Sequence, residues 1–181
     1  MRKVTFGGAI SFDNFIARLD GSFDWIMHSD DAGELMKEYW QKIDTIVMGR
    51  KTYDIAVQYA PKNKKAKNPY GNIKTFVFSR SLEPATRDGA TFVSTDPGKF
   101  VGKLKKENGK EICVMGGGDL AKNLFEAGVI DEIGFNVHPV LLGSGIPLFH
   151  EMKRQIDLEL LECRPFKNGC FYVLYRVKHL R

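Results

Sequence analysis

The chain has 181 residues, 43% of them apolar and 27% charged, enough for one packed core and not the composition of a disordered polymer. Its 27 basic and 22 acidic residues leave a net charge of +5, and much of that excess sits in Lys62, Lys64, Lys65 and Lys67. Outside this run the charges nearly balance, so no nucleic-acid partner is expected.

Cys113, Cys163 and Cys170 form no CxxC pair, which argues against a disulfide framework or a zinc site. The amino terminus enters a strand directly, without a secretory apolar segment, and no apolar run reaches bilayer length. A soluble, cytoplasmic protein with no metal and no membrane contact is the expectation.

In chain order, Lys3–Ile10 reads as a strand. Leu35, Met36, Tyr39, Trp40 and Ile43 share one helical face, which predicts a helix over Asp31–Lys42. Asp44–Met48 is apolar on both faces, as a central parallel strand is. A helix follows from about Thr52, then strands at Lys74–Phe78 and Thr91–Ser94. Thr95 or Asp96, with Pro97, starts a helix that runs to about Glu107. Ile112–Met115 is a strand, Asp119–Ala127 a helix stopped by Gly128, and Asp131–Val140 a longer strand. Ile156–Leu161 and Phe171–Lys178 alternate, with the hairpin signal Asn168-Gly169 between them. The pattern predicts a single α/β domain over residues 1–181. It has three layers: a central, mostly parallel sheet flanked by helices and closed by an antiparallel C-terminal hairpin edge. Pro61–Pro69 reads as a solvated loop. Pro139–Phe149 reads as a bulged strand with an interface patch, or as a buried loop.

Two strands empty into glycine at a helix start. One gives Gly49-Arg50-Lys51-Thr52, the other Gly116-Gly117-Gly118-Asp119. Such a junction exposes backbone N–H groups and the positive end of a helix dipole, so it suits phosphate. Two of them suggest an anion with more than one phosphoryl group. The plainer alternatives are a simple turn with solvated cations at the first and tight strand–helix packing at the second. A third strand ends in Ser79-Arg80, again a hydroxyl and a cation. This is not the GxGxxG dinucleotide fingerprint.

With Ser11-Phe12-Asp13-Asn14-Phe15-Ile16-Ala17, Asp20-Gly21-Ser22-Phe23-Asp24-Trp25 and Pro139–Phe149, these motifs occur in the order found in a known family. The chain resembles the dihydrofolate reductase fold, in the branch that holds the reductase domain of bacterial riboflavin biosynthesis, as a stand-alone form. The resemblance implies NADPH as cofactor. Gly49, Arg50, Lys51 and Thr52 would meet the 2′-phosphate and pyrophosphate, and Ser79 and Arg80 would flank the adenosine. Gly116, Gly117, Gly118, Asp119 and Leu120 would hold pyrophosphate and ribose, while Ala9, Ile10 and Gly21 would line the nicotinamide end. It also implies a homodimer.

The expected activity is reduction of a pterin, a ribosylaminouracil-like pyrimidine or a related heterocycle; the alternative is a nucleotide-binding module without turnover. Asp30 has the spacing from Trp25 of the family's ring-binding carboxylate, and burial in a partly apolar pocket would raise its pKa. The alternative is that Ser29, Asp30 and Asp31 cap the next helix. Asp13 is a second catalytic candidate, or a turn residue. Trp25 stacks on a substrate ring, or is core. His28, His138, His150 and His179 show no metal spacing and read as structural or surface. The family usually carries glycine where this chain has Asn14; asparagine tolerates positive φ, so the turn is expected to survive. The chain lacks the H-x-E and P-C-x-x-C motifs of a deaminase half.

Overall fold

The structure, a computed structural model, describes residues 1–60 and 68–178. Positions 61–67, which carry the lysine run and most of the expected solvated loop, and His179 lie outside the described residues.

Six parallel strands build the centre: β1 (Val4–Ser11), β3 (Ile43–Gly49), β4 (Lys74–Phe78), β6 (Ala90–Val93), β7 (Glu111–Met115) and β8 (Glu132–His138). Antiparallel strands β5 (Ala85–Arg87), β10 (Leu158–Pro165) and β11 (Phe171–Val177) complete the sheet, in the order β10-β11-β8-β1-β7-β3-β4-β6-β5. The mostly parallel sheet and its antiparallel C-terminal hairpin are as the alternation of short apolar and amphipathic runs predicts. Gly169, at φ 86°, turns the hairpin.

Helices α1 (Asp30–Lys42) and α2 (Arg50–Tyr59) cover one face, and α3 (Pro97–Leu104) and α4 (Gly118–Glu126) the other. Alternation within β3 explains the layering. Val47 packs with Val101, Leu120 and Leu124 on one side, while Ile46 and Met48 pack with Tyr53, Tyr39 and Trp40 on the other. The helix expected to reach Glu107 ends at Leu104.

A second, two-stranded sheet pairs β2 (Phe15–Ala17) with β9 (Ile146–Pro147). Segment 139–149 is therefore a strand only at Ile146–Pro147, paired across a register shift in β2, and is not a wholly buried loop. Leu148 is buried in the core while Leu141 is exposed, and the Leu148 N–H donates to the Asn14 carbonyl at 2.9 Å. Asn14 takes φ 64°, the positive value expected of a turn that elsewhere uses glycine. The expected loose loop is anchored at its far end. The Asn68 side-chain amide is buried and donates to the Ile73 and Gly89 carbonyls and to Thr75 Oγ1.

Candidate functional site

Because the six central strands are parallel, Ser11, Gly49, Phe78, Met115 and His138 end at one edge of the sheet. Helices α2 and α4 start there, at the ends of neighbouring strands β3 and β7. Gly49 and Gly117 are their N-cap residues, and neither cap has a side-chain acceptor. The first N–H groups of a helix have no partner within it, so both termini present donors and partial positive charge. Helix α3 differs: Asp96 Oδ1 accepts the Lys99 N–H at 2.7 Å.

The three glycines are tightly packed. Gly116 and Gly118 have φ of 87° and 66°, which favour glycine. A Cβ on Gly116 would collide with Thr52 Oγ1, and one on Gly117 would lie 2.7 Å from the Leu148 carbonyl oxygen. Gly118 donates its N–H to that carbonyl at 3.2 Å and faces the His150 ring. Packing of Thr52, Leu148 and His150 against the glycine run is thus sufficient reason for its composition. The Leu120 side chain is buried in the core, leaving its backbone for any ligand.

Cations ring these termini. The Arg50 guanidinium lies 3.3 Å from Asp54 and donates to Ser81 Oγ at 3.2 Å. Ser79 is buried, and its Oγ accepts the N–H groups of Ser81 and Leu82 at 3.3 and 3.1 Å. Lys51 is exposed. Arg80 reaches across to Asp119 at 3.1 Å, and Asp119 also sits 3.3 Å from His150 Nδ1. His150, read from sequence as structural or surface, therefore belongs to this cluster. Its contact with Asp119 spans two elements, and no local motif signals it.

The β1–β8 side is built differently. Ala9 lies beside Asn136 and Ser11 beside His138 in register. The Ile10 side chain turns into the core, and Gly21, at φ 86°, lies against Ile55 of α2. The Asp13 carboxylate accepts from Ser11 Oγ (2.6 Å), Leu142 N–H (3.1 Å) and Gly143 N–H (2.8 Å). The Ser11 hydroxyl first, then the two N–H groups, hold it below the usual carboxylate range. Asp13 therefore ties the end of β1 to segment 139–149.

Asp30 is exposed at the first residue of α1, so the partly apolar pocket expected around it is not formed. The helix-start contacts fall to Asp31, which accepts from Ala32 N–H at 3.1 Å and Lys167 N–H at 3.0 Å. Trp25 is buried and meets the ring of His138 edge-on, with centroids 5.4 Å apart. His138 is fully buried on the face that looks toward α1. The signal for it was present: Glu132, Asn136 and His138 alternate with apolar residues along the strand.

Among the described residues no His, Cys, Asp and Glu cluster has metal-binding geometry, and no helix is long and apolar enough to cross a membrane. A partly open hollow of about 60 Å³, lined by Ile130, Arg154 and Val177, lies toward the opposite edge and is too small for a dinucleotide.

Comparison with known proteins places this architecture. The RibD C-terminal domain profile matches residues 2–172. Two uncharacterized Bacillus subtilis proteins are similar along most of their length: YyaP is 34% identical over 180 residues, 96% of this chain and 94% of its own, and YwjB is 34% identical over 166 residues, 91% and 92%. A Corynebacterium diphtheriae pyrimidine reductase-like protein superposes with a TM-score of 0.73 at 18% identity, over 99% of this chain and 93% of its own. A Thermotoga maritima diaminohydroxyphosphoribosylaminopyrimidine deaminase/5-amino-6-(5-phosphoribosylamino)uracil reductase superposes at 0.72 with 16% identity. There the match covers 98% of this chain but only 57% of the longer protein. At these identities the two structures establish the fold; the profile, matching nearly end to end, shows that the chain belongs to the RibD C-terminal domain family.

Proposed function

We propose that the protein is an NADPH-dependent reductase acting on a ribosylaminouracil-like pyrimidine, a pterin or a related heterocycle. One observation carries the reading. Two helix N-termini without side-chain caps open side by side at the ends of β3 and β7, with Arg50, Lys51 and Arg80 around them. The donor set fits a dinucleotide: backbone N–H groups suit a pyrophosphate, and guanidinium forks suit a phosphate monoester. Arg50, steadied by Ser81 and Asp54, is suited to the 2′-phosphate that separates NADPH from NADH. Asp119 is a countercharge, paired with Arg80 and 3.3 Å from His150 Nδ1.

When bound, the cofactor supplies the hydride; the chain supplies binding and orientation. Ala9 and the backbone of Ile10 would flank the reactive ring, and Trp25 and His138 stand one strand away. The family relationship and the pyrimidine reductase-like neighbour support the substrate class. The test is NADPH consumption against a panel of pyrimidines and pterins.

A second reading, a nucleotide-binding module without turnover, draws on the two carboxylates. Asp13 is engaged by three donors and Asp30 stands in solvent. Cofactor binding without consumption on any panel member would favour it. The proposal includes a second copy of the chain as partner and a cytoplasmic location.

A further inference from the structure

The two arginines at the mouth of the site are each held by a carboxylate, in different ways. Arg50 lies 3.3 Å from Asp54, one turn along its own helix. Arg80 reaches another element: its Nη2 donates to Asp119 Oδ2 at 3.1 Å, while Asp119 Oδ1 lies 3.3 Å from His150 Nδ1. Arg80 follows β4, and Asp119 stands in the first turn of α4, which follows β7. In the sheet, β3 lies between those two strands. Adjacent strands are about 4.8 Å apart, so the pair bridges roughly 10 Å of sheet edge. It does so at the end of β3, where Gly49 caps α2.

Stability does not account for this bridge. The Arg80 side chain is 92% exposed and that of Asp119 61%, and an ion pair so open to water contributes little to folding. Its place matters more. A diphosphate laid between the starts of α2 and α4 has to pass where the pair stands. One backbone donor at that point is already used, because the Gly118 N–H goes to the Leu148 carbonyl. An incoming diphosphate therefore depends the more on Arg80, and Arg80 is occupied. A carboxylate on the same chain competes at high effective concentration. It yields to an anion that carries more charge and makes several contacts at once.

We propose that Asp119 is the resident anion of this groove: it holds Arg80 until a diphosphate takes its place, and so raises the affinity that an anion needs to fill the site. The inference deepens the cofactor reading and rests on it for the path of the pyrophosphate. On binding, the Arg80 guanidinium exchanges a carboxylate oxygen for a phosphoryl oxygen, and the Asp119 carboxylate returns to water. Asp119 thus works against binding, although it stands among the residues that surround the ligand.

The test titrates inorganic pyrophosphate by ³¹P NMR, at constant ionic strength and without magnesium, into the intact chain, Asp119→Asn, Arg80→Ala and the double variant. Both side chains are exposed, so the variants are expected to fold, and melting curves check it. Asp119→Asn should tighten pyrophosphate about threefold to tenfold. In the Arg80→Ala background the same change frees no guanidinium, and the gain should shrink to about twofold or less. An equal gain in both backgrounds would mean bare charge repulsion and would overturn the proposal. So would an Asn variant that binds no better than wild type, or no pyrophosphate binding by any of the four. NADPH is titrated separately by fluorescence. The pyrophosphate pattern without NADPH binding sinks the cofactor reading alone; NADPH binding with no gain in Asp119→Asn sinks the role of Asp119 alone.

Discussion

Gly116 and Thr52 are packed so closely that the α-hydrogen of the glycine takes the place of a side chain beside Thr52 Oγ1. This contact joins the starts of the two helices that open on the sheet edge. Gly116→Ala is expected to lower stability by about 1–3 kcal/mol, from overpacking and from φ of 87°. Adding Thr52→Ala should return the overpacking part and leave the backbone part. Urea midpoints of the four proteins in this cycle give the answer; an alanine tolerated without loss would show that packing does not require this glycine.

Asp13 is a clamp in this account. Asp13→Ala should speed amide exchange at Leu142 and Gly143, whose N–H groups it accepts, before it changes exchange in the central strands. Hydrogen exchange by residue checks this. If exchange there is unaltered and turnover vanishes, Asp13 serves chemistry instead.

Burial, with a smaller contribution from His28, holds His138 below the ordinary histidine range. The groups facing it are Met27 N–H, Cys170 and Trp25. The unfolded chain therefore takes up the proton first as pH falls. The stabilising contribution is complete above an ordinary histidine pKa of about 6.5 and is lost as pH drops toward the folded value. Melting temperature should fall between about pH 7.5 and about pH 5.5, ahead of the losses from carboxylates such as Asp13 and Asp44 below about pH 4. His138→Asn should flatten that upper segment. An unchanged slope would mean another group is responsible.

Much of this was legible in the sequence. Strand β3 reads correctly because it is apolar on both faces, and α4 because Gly128 stops it. Strands β2, β5 and β9 were not legible, since two or three residues carry no periodicity. The glycine–cation junctions are local motifs and stand out. The orientation of His138 is not local: it is set by Met27, 111 positions away. Nor can spacing show that Asp30 stays in solvent while Asp31 takes the helix-start contacts.

The outer strand β10 exposes Leu158, Leu160 and Leu161, and among the described residues it pairs with one strand only, β11. A homodimer through this strand predicts that Leu158→Asp with Leu160→Asp gives monomers by sedimentation while the melting temperature holds. A dimer that survives the double change would place the contact elsewhere.

The most direct test of the central claim is fluorescence titration of NADPH and NADH against wild type and Arg50→Ala. The account predicts that wild type prefers NADPH, and that Arg50→Ala weakens NADPH about tenfold or more while barely changing NADH. Equal affinity for the two cofactors in wild type, or no binding of either, would contradict it and leave the paired glycine turns as packing alone.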